Sequence, residues 1–332
     1  MTARILLSTR NLKKYFASPR RLFGTQTPPV QAVDGVNLTI AEGETLALVG
    51  ESGSGKSTTG RLILRLMSAS DGEIIVDGHK IDLKQPPKQD FRKDVQVVFQ
   101  DPRAALNPRR TIFQALRDPL LLHNLSTPAT VRADVGSLLE RVGLSPHQQF
   151  IDRQPRQLSG GQLQRVCIAR AISLRPRLIV ADEAVSALDA SIRAQILQLI
   201  RKLQQQENLS FLFITHDLAV VRSLAQRVAV MYLGRIVEQG PVAQVFASPA
   251  HPYTRALLEA TPLPDPVRAR TRVRTVLKGE IPSPSNPPRG CRFHPRCPKV
   301  MDICRDTDPL PRTISAVTVS CHLHPINPEE LE

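Results

Sequence analysis

The stretch TLALVGESGSGKSTTGRLILRLM, residues 45–67, decides how the rest of the chain is read. TLALVG (45–50) is a short apolar run suited to a buried strand, and KSTTGRLILRLM (56–67) suits a helix. Between them the pattern G-x-x-x-x-G-K-[ST] runs from Gly50 to Ser57, in the strand–turn–helix context in which it binds phosphate. Gly50, Gly53 and Gly55 let backbone N–H groups turn inward, and the helix start adds the positive end of its dipole. Ser52, Ser54 and Thr58 complete the candidate phosphate-binding set. Lys56 would neutralise the β and γ phosphates of a nucleotide, and Ser57 would place its hydroxyl on Mg²⁺. A glycine-rich turn without a ligand would give the same string in isolation, so the remaining motifs have to decide.

The second half of the constellation is LIVADE, residues 178–183. Leu178 to Ala181 make a buried strand whose carboxyl end delivers two acids to the crevice where α/β proteins hold ligands. Asp182 would hold Mg²⁺ through water, and Glu183 would polarise an attacking water as general base. Two acids merely capping the next helix are a weak competitor once the phosphate loop is granted.

Around these motifs, short β-branched runs alternate with helical patterns over the first 240 residues, the rhythm of a sheet covered by helices. VQVVFQ (95–100) and FLFITH (211–216) are further strand candidates. Ile192, Ile196, Leu199, Ile200 and Leu203 repeat along one helix face. From Pro249 onward the chain carries 15 of its 28 prolines and the periodicity fades. The expected division is therefore a nucleotide-binding domain over residues 1–249 and a C-terminal appendage over 250–332.

Composition narrows the function classes. The 332 residues are 41% hydrophobic, enough for a real core. No apolar run approaches the roughly 18 residues needed to span a bilayer, and MTARILLSTRNLKKYF is broken by charge too early for a secretory signal, so a soluble, cytoplasmic chain is expected. The net charge of +14 is spread along the chain without a long basic block, and there is no Trp and only three Tyr. That argues against nucleic acid as a partner and leaves attraction to an anionic membrane surface, or plain solubility.

QLSGGQLQR, residues 157–165, carries a resemblance: with Ser159, Gly160, Gly161 and Gln162 in place, the chain is similar to the nucleotide-binding subunits of ABC transporters. The physics is again anion binding at a helix start. The resemblance implies a P-loop NTPase fold of α/β class, with a mixed sheet, a RecA-like core and a helical subdomain at about 101–170. It also implies that Ser159, Gly160, Gly161 and Gln162 contact an ATP held by a partner's loop. Gln100 resembles the glutamine that senses Mg²⁺ and water, and is expected to join Glu183 and His216 as catalytic residues. Ser186 to Asp189 resembles the loop linking two ATP sites. Tyr15 in NLKKYF is the candidate adenine-stacking aromatic, although it and Phe16 could equally be core.

HPYTRALLEATP (251–262), GEIPSPSNPPRGC (279–291), LNPR and SALDASIRAQIL resemble the ATPase subunits of dipeptide and oligopeptide importers, closest to the second ATPase subunit of a dipeptide permease. The implied function is to power peptide import at the cytoplasmic face of the membrane. The implied partners are a homologous ATPase subunit in a heterodimer, two transmembrane permeases and an external peptide-binding protein. Nickel or glutathione importers have similar ATPases, and a soluble ABC ATPase outside transport would carry a coiled-coil insertion or a second cassette. Ala184, Gln154 and Leu163 depart from the pattern without removing a ligand group.

Four of the five cysteines fall in the last 42 residues: Cys291, Cys297, Cys304 and Cys321, spaced C-x5-C-x6-C-x16-C. A cytoplasmic ATPase rarely keeps disulfides, and a proline-rich segment is expected to have little core of its own, so a metal staple is the economical account. Zinc usually shows a C-x2–4-C pair, which is absent; four thiolates at wider spacing suit an iron–sulfur cluster. The resemblance points to a [4Fe-4S] cluster. The competing reading is four reduced thiols in local packing. Cys167 reads as core.

Overall fold

The computed structural model describes residues 4–17, 28–260 and 279–324. In chain order the strands are β1 (Ile5–Phe16), β2 (Val30–Ala41), β3 (Thr45–Val49), β4 (Asp71–Val76), β5 (His79–Lys80), β6 (Val95–Val98), β7 (Leu178–Asp182), β8 (Ser210–Ile214), β9 (Arg227–Tyr232), β10 (Arg235–Pro241), β11 (Arg312–Ile314) and β12 (Val317–Val319). The α-helices are α1 (Lys56–Ile63), α2 (Gln89–Asp94), α3 (Pro102–Ala105), α4 (Ile112–Leu122), α5 (Val131–Arg141), α6 (Gly160–Ile172), α7 (Ala190–Glu207), α8 (Leu218–Leu224), α9 (Val242–Ala247), α10 (Pro252–Ala260) and α11 (Ile303–Asp306). Among the described residues no helix is long and apolar enough to cross a membrane. The chain forms two compact units.

The helical unit takes the described residues of Met1–Leu6, Ile40–Thr45 and Lys84–Ile214. Its strands β6, β7 and β8 are parallel with β7 central, from Val95 opposite Leu178 to Asp182 opposite Ile214. Leu178 to Ala181 are buried, as a strand covered on both faces must be. Helix α7 buries Ile196, Leu199, Ile200 and Leu203, four of the five residues whose spacing predicts its inner face, while Ile192 in the first turn is half-buried.

The sheet-rich unit takes the described residues of Leu7–Thr39, Leu46–Leu83 and Thr215–Glu332. One sheet has the order β2-β1-β4-β5, with β4 antiparallel to both neighbours. In the other, β3 lies parallel to β9, β9 pairs with β10 as an antiparallel hairpin, and β12 and β11 extend the row beyond β10.

The tail thus differs from the core-poor appendage its prolines suggest. Val319 sits opposite Glu238 in the β10–β12 ladder, which ties the last described segment to the sheet. Tyr253 and Phe293, both fully buried, pack edge-on against Tyr232 with ring centroids 4.7 and 5.2 Å away. Three large aromatic side chains give this region an apolar anchor that periodicity does not register.

Candidate nucleotide site

In the sheet-rich unit, β3 runs straight into the phosphate loop. Gly50 stands at φ 154°, and a Cβ there would come within 2.1 Å of the Met231 carbonyl oxygen. Gly55, at φ 107°, would put a Cβ 2.2 Å from the Ala32 oxygen. Neither position admits a side chain, so the loop backbone packs directly on β9 and β2. Gly53 meets nothing within 4 Å and, with Ser52, forms the exposed rim, while Ser54 is buried. Lys56 is buried, and its ammonium donates to the carbonyls of Gly50 and Glu51, both at 2.8 Å. Ser57 and Thr58 lie half-buried in the first turn of α1.

The same unit carries His216 and Tyr15. Thr215 N–H donates to the Leu48 carbonyl at 3.2 Å, which sets exposed His216 beside the strand that delivers the loop. Asp217 caps α8 by accepting from the Ala219 and Val220 amides. Tyr15 is half-buried, and its hydroxyl donates to Asp34 Oδ1 at 2.5 Å. Burial and that acceptor push the phenol up to about 12. Burial alone would raise the Asp34 carboxyl, but the hydrogen bonds from Tyr15 and Arg235, with Arg292 alongside, outweigh it and hold the group below its ordinary value.

In the helical unit, Asp182 ends β7 and Glu183 follows at φ 49°, a left-handed backbone uncommon for this residue. The turn is held by Glu183 N–H donating to the Ile214 carbonyl and by Ser186 Oγ donating to the Glu183 carbonyl, each at 2.9 Å. Gln100, two residues beyond the end of β6, donates from Nε2 to Glu183 Oε2 at 2.9 Å. The structure therefore brings Gln100 and Glu183 together.

The LSGGQ string is a capping box. Ser159 is the N-cap of α6: its Oγ accepts from the Gln162 amide at 3.3 Å, and its own N–H donates to Gln162 Oε1 at 3.0 Å. Gly160 and Gly161 occupy the first helical positions. A Cβ on Gly161 would approach Ile192 Cγ2 to 2.6 Å, so glycine here permits close packing of α6 on α7.

In the tail, Cys291, Cys297, Cys304 and Cys321 are all free thiols. Burial chiefly, with the neighbouring cysteines adding, pushes the Cys291 thiol up to about 11 and raises Cys297 and Cys321. The Cys291 N–H donates to the Cys304 carbonyl at 2.9 Å. Four sulfurs in mutual electrostatic range are the right donor chemistry for an iron–sulfur centre. Yet among the described residues no group of three or more His, Cys, Asp or Glu is gathered closely enough to hold a metal ion.

Several residues at this site stand outside the motif positions that sequence reasoning singled out. Asp34, Glu51, Tyr253 and Arg296 hold Tyr15 or the loop in place, and their only sequence signal is that Tyr253 and Arg296 lie inside HPYT and RFHPRC.

Comparison with known proteins agrees with these features. The family described as ABC transporter matches residues 33–186, and the oligopeptide/dipeptide transporter C-terminal region matches residues 237–304. The oligopeptide transport ATP-binding protein AppF of Bacillus subtilis is 46% identical, over 96% of this chain and 97% of that protein. The dipeptide transport ATP-binding protein DppF of Haemophilus influenzae is 47% identical over 92% of each. A dimeric ATP-binding cassette in a post-hydrolysis state, bound to ADP and Pi, is 29% identical with a TM-score of 0.62, covering 71% of this chain and 99% of that one. The fold is that of an ABC ATPase cassette, and the chain belongs to the ABC transporter family, in the branch that carries the oligopeptide/dipeptide transporter C-terminal region.

Proposed function

We propose that the chain is the ATP-hydrolysing subunit of an importer for dipeptides or oligopeptides. The observation that carries this is full-length similarity to peptide-transport ATP-binding proteins, including the C-terminal region beyond the cassette. Gly50 to Thr58 bind the nucleotide phosphates with Lys56 as the cation, and Tyr15 stacks on the base. Ser57, Gln100 and Asp182 offer hydroxyl, amide and carboxylate oxygens, the donor chemistry Mg²⁺ takes, and the ion would neutralise phosphate charge. Glu183 accepts a proton from the attacking water, oriented by Gln100, and His216 contacts the γ-phosphate. Ser159, Gly160, Gly161 and Gln162 serve an ATP on the partner subunit.

The working assembly is a heterodimer with a similar ATPase on two permeases, fed by an external binding protein and peripheral to the cytoplasmic face of the membrane. Residues 1–249 form the ATPase domain in this reading, with the helical subdomain at about 101–170, and residues 250–332 form the importer-type tail. Cys291, Cys297, Cys304 and Cys321 would hold a [4Fe-4S] cluster. The four-thiol donor chemistry supports this, and ligation would have to draw the sulfurs closer together.

The test is uptake of a labelled dipeptide and a labelled tripeptide by a strain lacking this gene. Restoration by the wild-type gene and not by Glu183→Gln is expected. Unchanged peptide uptake in the deletion strain, with loss of nickel or glutathione uptake instead, rejects the substrate class.

A further inference from the structure

Glu51 is held at all three of its polar groups, and two of the three holders come from beyond residue 249. Its N–H donates to Tyr253 Oη at 2.9 Å, and its carbonyl accepts from Lys56. Its carboxylate accepts both terminal nitrogens of the Arg296 guanidinium, at 2.7 and 3.2 Å. Glu51 is the second residue of the phosphate loop, so its charge lies where an anionic ligand is to bind. A bare carboxylate there opposes the phosphates.

Arg296 answers that charge in the strongest geometry available, a planar two-pronged pair. Its side chain is 7% exposed and that of Glu51 24%, so water screens the pair poorly. The guanidinium is itself braced 5.9 Å from the Tyr232 ring centroid, against the aromatic cluster that includes Tyr253. A parallel arrangement holds the base-stacking candidate: Arg292, also from the tail, donates to Asp34 Oδ2 at 2.5 Å, and Asp34 holds the Tyr15 hydroxyl.

We propose that Arg296 is a positioning residue for nucleotide binding: it cancels the Glu51 carboxylate and, with Tyr253, fixes the first turn of the phosphate loop. ATP affinity then depends on the tail being folded onto the loop, which gives the cysteine-bearing segment a direct hold on the nucleotide. This rests on the reading of Gly50–Thr58 as the nucleotide site.

The experiment is titration calorimetry of the purified full-length chain with ADP, which binds the loop and is not hydrolysed. Arg296→Gln is expected to weaken ADP binding at least about fivefold by leaving Glu51 uncompensated. Adding Glu51→Gln in that background should restore affinity to within about twofold, because the unpaired charge is then gone. Arg296→Lys, which keeps the charge without the fork, should fall between, and exposed Arg305→Gln should match wild type. Melting curves identify any variant that fails to fold; if Arg296→Gln does, Arg296→Lys against wild type carries the comparison. Wild-type affinity in Arg296→Gln, or a double variant as weak as the single one, overturns the proposal. Lys56→Ala separates the two levels: if it binds ADP like wild type, the nucleotide-site reading fails first, whereas its loss of binding beside a normal Arg296→Gln sinks the Arg296 inference alone.

Discussion

Gln100 Nε2 donates to Glu183 Oε2 across 2.9 Å, so the carboxylate one residue beyond β7 is oriented by a glutamine two residues beyond β6. Two neighbouring parallel strands thus bring together the proposed base and the residue proposed to guide it. A glutamine at 183 would keep the size and the turn but could not accept a proton. Glu183→Gln should therefore retain ATP binding while turnover in the assembled transporter falls at least about 10²-fold. ATP turnover measured beside nucleotide affinity checks this, and wild-type hydrolysis by the variant would remove Glu183 from its role.

The capping box separates structural from ligand roles at Ser159. Ser159→Ala removes the acceptor for the Gln162 amide and should cost about 1 kcal/mol of stability. Ser159→Asp keeps a capping oxygen, so the melting temperature should hold. If Ser159 serves the partner's nucleotide as proposed, the added charge would oppose that phosphate and hydrolysis by the complex should drop. Equal melting temperatures with undiminished hydrolysis in Ser159→Asp would confine Ser159 to capping.

Much of this arrangement was legible because each motif is a contiguous string with local chemistry. The loop from Gly50 to Thr58 needs only a strand before it and a helix after it, and both are present as β3 and α1. LIVADE ends where its apolar run stops, at the carboxyl end of β7. The face of α7 follows from spacing alone. Strand ends read less well: VQVVFQ suggests a strand to Gln100, but β6 stops at Val98 and frees Gln100 to reach Glu183.

What stayed hidden is long-range. Arg296 and Glu51 are 245 residues apart, and their pairing depends on β12 joining β10 and on the burial of Tyr253 and Phe293. No local period encodes a contact of that kind, and proline content masked the core beneath it.

Assembly gives a further expectation. If Ser159 to Gln162 serve the partner's nucleotide, the isolated chain lacks a complete site of its own. Purified alone it should hydrolyse ATP slowly, and the rate should rise on co-expression with the second ATPase and the permeases. A chain that remained monomeric with ATP and matched the complex's turnover would contradict the composite site.

The cysteines allow a direct chemical assay. A [4Fe-4S] cluster should make anaerobically purified protein brown, with about four iron and four sulfide per chain, and zinc would leave it colourless. Each Cys→Ala change should bleach it and expose the tail to proteolysis. Colourless, iron-free protein whose four thiols all react freely in the native state would end the cluster reading.

His251 predicts how the tail responds to acid. It is 1% exposed, its Nδ1 accepts from the Tyr253 N–H at 3.1 Å, and burial, with His324 adding, pushes its pKa down to about 3. The folded protein thus keeps His251 neutral, while the unfolded chain takes up a proton near the ordinary histidine value of about 6.5. The unfolded state binds more protons below that value, so the stability tied to neutral His251 is full above about pH 6.5 and is lost progressively as pH falls toward 3. Glu238 opposes part of this: it is fully buried, accepts from the Ala250 and His251 amides, and has a carboxyl raised by burial, so protonation relieves its desolvation. Comparing His251→Gln with wild type isolates the histidine, because both retain Glu238. The wild-type advantage in melting temperature should be largest at pH 7 and shrink toward pH 5. An advantage that stays constant across that range would mean His251 takes up its proton as readily in the folded protein as in the unfolded chain, contrary to its burial.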